Sequence, residues 1–345
     1  MKSLFWPVLP FLLSMSIGQH TNAQTCSSQS VIVTVLNESR VPILDLQASN
    51  FRAASRRQTL TVGSASFRQY LGARTYVLLN TSANMAGIGS EGINKWRIAR
   101  SAALEFISTA PPQARISLLT YSSTIGKEFD SSGRRQPMLD WLNSPESDKT
   151  SSLKGRSALY WILGQVELAM GPAQTGDAIY IITDGSDFTV SSIARRVSAE
   201  MESRGVRLFA LILNDGFRPA ALTDAEGDYL VSSIHPVTGS TELSNLVRAS
   251  GGYASVWLPG GRAAQSWLHE SFDYDRDAIQ NIRSITRLFT ISIDNFYLLT
   301  VNSAKGFASP EAWKLGVVDS DGKNRNNVTL AYPEKLQGCS DPSAR

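Results

Sequence analysis

Apolar positions change their spacing twice along the chain and so divide it into three stretches. From 30 to 70 they alternate. Val31, Val33 and Val35 fall on one side of an extended backbone, Pro42, Ile43 and Leu44 follow a polar turn, and Thr59 to Val62 makes another short run. Period two predicts strands with one buried face. From 72 to 259, short unbroken apolar runs take turns with helix-spaced segments. Arg74 to Leu79, Ile116 to Tyr121, Ala178 to Thr183, Leu208 to Leu213 and Tyr253 to Leu258 read as buried strands. Between them, Ile93, Ile98, Ala102 and Ile107 share one helical face. Leu159, Ile162, Leu163, Val166 and Ala169 do the same within Ala158 to Met170, Ile193 to Arg204 is a further helix, and Ser244 to Ala249 ends another at Gly251-Gly252. Strands buried on both faces and alternating with amphipathic helices predict an α/β fold, a doubly wound and mostly parallel sheet with helices on both faces.

The last stretch returns to β spacing after a long helix. Asp275 to Ile293 carries Ile279, Ile282, Ile285 and Leu288 at inward positions. Tyr297 to Val301, Trp313 to Val318 and Asn327 to Ala331 then read as strands, with Asp319-Ser320-Asp321-Gly322-Lys323 as a hairpin turn. The expected division is 1–23 export signal, 24–71 N-terminal β segment, 72–260 α/β domain, 261–294 connecting helix and 295–345 C-terminal β segment. The two β segments are expected to pack together as a small β-domain, with the α/β domain inserted between them.

Composition narrows the function classes. With 42% apolar and 18% charged residues, 25 Gly and 14 Pro in 345, the chain is neither fibrous nor disordered. Thirty-three basic residues against 30 acidic ones leave a formal +3, too even a balance to grip phosphates, so nucleic acid is not an expected partner. Three histidines and two cysteines do not build a zinc finger or an iron–sulfur site. Lys2, the apolar Leu4 to Ile17 and the small residues of Thr21-Asn22-Ala23 spell an export signal. Its apolar run is shorter than a bilayer span, and no later segment is long enough. Export makes a Cys26–Cys339 disulfide the expected state of the only two cysteines. The final location, whether periplasm, cell surface or medium, stays open.

In an open parallel sheet, ligands meet the C-terminal ends of the strands. Three loops there carry oxygen donors only: Asn80-Thr81-Ser82-Ala83-Asn84-Met85, Gly155-Arg156-Ser157 and Thr183-Asp184-Gly185-Ser186-Asp187. Amide carbonyls, hydroxyls and a carboxylate suit Mg²⁺, Mn²⁺ or Ca²⁺ rather than softer metals. The set resembles a von Willebrand factor type A domain and its metal-ion-dependent adhesion site, written Asp-x-Ser-x-Ser, a later Thr, and Asp-Gly. Here Asn80, Ser82 and Asn84, then Ser157, then Asp184 with Gly185 take those positions. Met85, Ala158-Leu159-Tyr160, Ile182-Thr183 and Ala249-Ser250-Gly251-Gly252-Tyr253 extend the likeness. Val33-Thr34-Val35, Pro42, Leu46, Phe51 and Tyr297-Leu298-Leu299 are similar to a secreted bacterial subgroup of such proteins.

The resemblance implies a non-enzymatic adhesion or binding protein whose partner is another protein. In the family, the cation's open coordination position accepts a carboxylate from that partner. The expected partner-binding residues are therefore Asn80, Ser82, Asn84, Ser157 and Asp184, ringed by Gly87 to Gly92. The expected metal ligands are Ser82, Asn84, Ser157 and Asp184, with Mg²⁺ or Mn²⁺ as the cation. Asn80 in place of an acid leaves one fixed carboxylate, which weakens divalent-cation affinity. Two outcomes stay open: a working cation site, or a degenerate one whose polar groups bond one another.

Competing signals are weaker. Gly87-Ile88-Gly89-Ser90-Glu91-Gly92 spells the dinucleotide glycine pattern, but seven residues separate it from the strand and no ribose-binding acid follows Tyr121-Ser122-Ser123. A nucleotide-binding or hydrolytic enzyme using the same edge remains the alternative reading, and an architectural envelope protein is a third. Asp224 to Asp228 lacks the spacing of a calcium loop, and His235 and His269 sit in unpatterned stretches. Trp161 and Trp257 read as core or sheet-edge packing, and Trp96 and Trp141 as helix packing, with a contact surface as the alternative for these two. The three sequons at Asn37, Asn80 and Asn327 carry no weight.

Overall fold

The computed structural model describes residues 26–69, 72–86, 95–130, 134–149, 153–189, 191–213, 236–257, 263–264, 271–272 and 278–339. The expected export segment, Gly87 to Gly92, Asp224 to Asp228, His235 and His269 lie outside these residues, as does the Trp257 side chain.

Six strands form the central sheet in the order Ile125–Phe129, Arg115–Tyr121, Arg74–Asn80, Ala178–Thr183, Arg207–Leu213, Ala254–Trp257. All neighbours run parallel except the edge strand Ile125–Phe129, which is antiparallel to Arg115–Tyr121. The strand order doubles back at Arg74–Asn80, so the crevice between its end and that of Ala178–Thr183 is the switch point of the fold. Residues of one strand divide between the two faces with period two. Val77, Leu79, Tyr180, Ile182, Phe209 and Leu211 bury against helices Lys95–Thr109, Gln136–Leu142 and Ala278–Asp294. Leu78, Leu119, Ile179, Ile181, Leu208 and Ala210 bury against Leu159–Met170, Ser191–Arg204 and Pro236–Ala249. This is the doubly wound α/β architecture the periodicity predicts.

Strands from both ends of the chain share two antiparallel sheets. Ser28–Asn37 lies between Asn295–Ser303 and Val328–Ala331, with Leu60–Gln69 on the far side of Asn295–Ser303. Glu311–Val317 pairs with Phe51–Ser55 and Lys335–Leu336. Val33, Val35, Phe51, Tyr297, Leu299, Trp313 and Val317 pack together with Cys26 and Cys339 beside them. The two cysteines form a disulfide with Cα atoms 5.8 Å apart.

Four expectations need correcting. Pro42 to Leu44 forms no strand; one bridge from Leu36 to Pro42 is all the pairing there, and the second strand is Phe51–Ser55. The Asp319 to Lys323 turn closes one bridge, Val318 to Asn324, before the chain leaves for the other sheet, so its flanking strands are not a hairpin pair. Neither Trp161 nor Ala169 packs inward: Trp161 is 45% exposed on the outer face of its helix, and Ala169, expected on the inward face, is exposed as well. Trp96, by contrast, is buried and donates from its indole N–H to the Ser147 carbonyl at 2.6 Å.

A second polar cluster sits at the opposite, N-terminal edge of the central sheet. Asp177 accepts from the Arg74 and Gln174 amides, both at 2.8 Å, and from the Arg74 guanidinium at 2.6 Å. Fully buried Arg207 donates to the Ser292 and Ile293 carbonyls at 2.9 and 2.8 Å, closing the end of helix Ala278–Asp294, and to Gly176 at 3.3 Å. Its guanidinium lies 4.7 Å from the Phe296 ring. Arg207 thus ties the parallel sheet to the point where the chain enters the β sheets.

Candidate functional site

Backbone bonds lash the three C-terminal loops together. Thr81 donates to Tyr121 O at 2.6 Å, Lys154 to Thr81 O at 3.2 Å, Ala83 to Gly155 O at 3.1 Å and Phe188 to Ser157 O at 2.8 Å. Gly185 (φ +83°) turns the chain directly after the strand in a conformation that side chains disfavour. That turn brings Ser186 back over Asp184.

Asn80 sits fully buried at the switch point, and its amide is committed to protein partners. Nδ2 donates to Thr183 Oγ1 and Asp184 Oδ1, both at 3.1 Å, and Oδ1 accepts from the Ser82 amide at 2.8 Å. Asp184 also accepts from the Ser186 hydroxyl, 2.8 Å from each carboxylate oxygen, and from the Ser186 amide at 3.3 Å. Asn84 turns its Nδ2 to Ser186 Oγ at 3.2 Å. Ser82 and Ser157 are buried, and among the described residues their hydroxyls have no hydrogen-bond partner. The Tyr121 hydroxyl is buried beside them, next to Thr183 and Ser157. Burial holds that phenol protonated, and the Asp184 and Asp187 charges add to the effect.

The five residues expected to form the site therefore do meet at one edge. Three participants escaped the sequence reading. Thr183 and Ser186 stood in the quoted loop without a role, and Tyr121 looked like one more strand core residue. Asp187, the last residue of the third loop, faces helix Leu159–Met170. Its carboxylate accepts from Thr189 Oγ1 at 2.8 Å and from the Thr189, Leu159 and Tyr160 amides. It thereby caps helix Leu159–Met170, whose own N-cap residue, Ala158, offers no side-chain bond. Burial nevertheless pushes its carboxyl up to about 6.

No family model matches the chain, and no curated protein matches it in sequence. Solved structures do. The chain is similar to an aerotolerance-related membrane protein from Bacteroides fragilis at 16% identity, over 64% of this chain and 98% of that one, with a TM-score of 0.44. For the conserved hypothetical protein BatB from Bacteroides thetaiotaomicron the figures are 14%, 63%, 99% and 0.42. For a von Willebrand factor type A protein from Catenulispora acidiphila they are 9%, 94%, 76% and 0.40. Solved von Willebrand factor type A structures are thus among those the chain is similar to. Likeness at this level says nothing of what the chain binds, and the α/β architecture stands on the strand order and directions given above. Among the described residues, no helix is long and apolar enough to cross a membrane.

Proposed function

We propose that the chain is an exported, non-enzymatic binding protein that recognises a protein partner through the C-terminal edge of its parallel sheet, and that it does so without a resident divalent cation. The observation that carries this reading is the state of Asp184. It is the one carboxylate among the expected ligands, and it already accepts hydrogen bonds from Asn80 and Ser186. Asn80, where the related site has an acid, aims N–H donors into the cluster rather than lone pairs. Divalent-cation affinity rises with the number of charged ligands, and a donor set of two hydroxyls, an amide and an engaged carboxylate does not fit Mg²⁺ or Mn²⁺. The unpartnered hydroxyls of Ser82 and Ser157 leave hydrogen-bonding capacity behind loops that the backbone bonds hold in place. A preorganised polar edge of this kind suits recognition by shape and hydrogen bonds. The disulfide fits the oxidising destination of an exported chain.

Site-specific photocrosslinking in the producing cell tests the reading. A crosslinker at Lys154 or Ser186 should capture one discrete protein, undiminished by EDTA, while one at Lys314 in the β sheets should not. Capture from Lys314 alone would replace edge recognition with an architectural role for the β sheets.

A further inference from the structure

Among the described residues, five large apolar side chains stand exposed, and three of them share one flank of the molecule: Trp161 at 45%, Leu168 at 70% and Phe188 at 46%. Trp161 and Leu168 are two helical turns apart and so project from the same face of helix Leu159–Met170. Gln165 and Ala169, also exposed, complete that face, which carries no charge. Phe188 joins it from the loop after Thr183. Its backbone is held to Ser157 at 2.8 Å, and the next residue, Thr189, accepts from the Trp161 amide at 3.4 Å. The patch is therefore built onto the edge loops themselves.

Its border on the loop side is cationic. The Arg156 guanidinium lies 5.0 Å from the Phe188 ring. Lys154 and Arg156 are exposed, and neither forms an ion pair with a described residue. On the neighbouring helix, Arg195 is exposed beside Arg196, which makes only a long contact to Glu200 at 3.8 Å. Aromatic anchors with basic side chains at their loop end form a docking surface for a partner that brings apolar groups together with carboxylates.

We propose that this flank docks an acidic protein segment carrying bulky apolar side chains. The apolar groups would cover Trp161, Leu168 and Phe188, and the carboxylates would meet Arg156 and Lys154. This rests on the edge-recognition reading and adds the chemistry of the partner.

A displayed library of random dodecapeptides, selected on the mature chain at low salt, tests it. Selected peptides should be rich in Asp and Glu interspersed with Phe, Trp, Leu or Ile. They should lose about tenfold or more in affinity for Trp161→Ala and for Phe188→Ala, and lose affinity for Arg156→Glu and at raised salt. Because both aromatic side chains are half exposed, each variant should melt like the parent. Basic or purely polar peptides, no enrichment, or equal binding to the aromatic variants would overturn the proposal. Peptides lost in Asp184→Ala but kept by the aromatic variants would refute it while leaving edge recognition intact, and peptides lost in neither would refute both. Self-association in sedimentation that Trp161→Ala abolishes would also overturn it, by making a second copy of this chain the occupant.

Discussion

Replacing Arg207 with methionine keeps much of the side-chain volume but removes the charge that holds the sheet to the last long helix. Three carbonyls, of Ser292, Ile293 and Gly176, lose their donor, and the ring of Phe296 loses a cation 4.7 Å away. Each charge-assisted bond is worth about 1.5–3 kcal/mol. Against that stands the relief of burying a cation, whose strain shows in a guanidinium pushed down to about 10 by desolvation. Among the described residues the Nε of Arg207 has no partner either. Breaking such a buried arrangement from one side costs about 3–5 kcal/mol.

Asp294 makes that cost depend on pH. Burial raises its carboxyl from 3.8 to about 7, and the attraction of Arg207 and Arg135 keeps it from rising further. A carboxyl raised on folding adds stability below its unfolded pKa and loses it as pH climbs through the folded one. Without Arg207 the folded pKa moves up again, so the loss extends to higher pH. Urea denaturation of both proteins at pH 6 and pH 9 reads this directly: the deficit of Arg207→Met should be larger at pH 9. A deficit below about 1 kcal/mol, or one equal at both pH values, would refute the argument that Arg207 is a charged clamp.

Other perturbations have equally definite outcomes. A Cβ at Gly252 would stand 1.7 Å from the Leu208 carbonyl oxygen, so Gly252→Ala should fail to give a folded product, while Gly316→Ala, with open space at that point, should express and melt normally. Asp187, raised from 3.8 to about 6 mainly by burial, should make the wild type lose about 2.5 kcal/mol relative to Asp187→Asn as pH rises from 4 to 7. A constant difference across that range in denaturation midpoints would exclude the assignment. Cys26→Ser with Cys339→Ser opens a loop spanning a sequence separation of 313 and should cost up to about 5 kcal/mol by the same assay.

What the sequence made legible follows from burial. The five parallel strands are unbroken apolar runs because both their faces are covered, and no other arrangement explains them. The edge strand Ile125–Phe129 escaped because only its two end residues face the core and Gly126, Lys127 and Glu128 look like loop. Trp161 was misread for its size; positions 161, 165 and 168 fall outside the face defined by Leu159, Ile162, Leu163 and Val166, and the spacing itself places it in solvent. The loop residues of the site were visible by type. Their wiring was not, since whether Asp184 is free or occupied by Ser186 depends on the turn at Gly185. Arg207, a charge at the start of a strand, gives no sign in the sequence that it will be the most deeply buried cation among the described residues.

The claim that the edge works without a cation is tested most directly by calorimetric titration of metal-stripped protein with Mn²⁺. Wild type should give no heat of binding. Asn80→Asp would set a second carboxylate where Nδ2 lies 3.1 Å from Asp184, a repulsion of about 5 kcal/mol at an effective dielectric of 20. That variant should be destabilised in EDTA, bind Mn²⁺ and recover stability as it does so. Saturable heat in the wild type that disappears in Asp184→Ala would contradict the account and establish a working cation site.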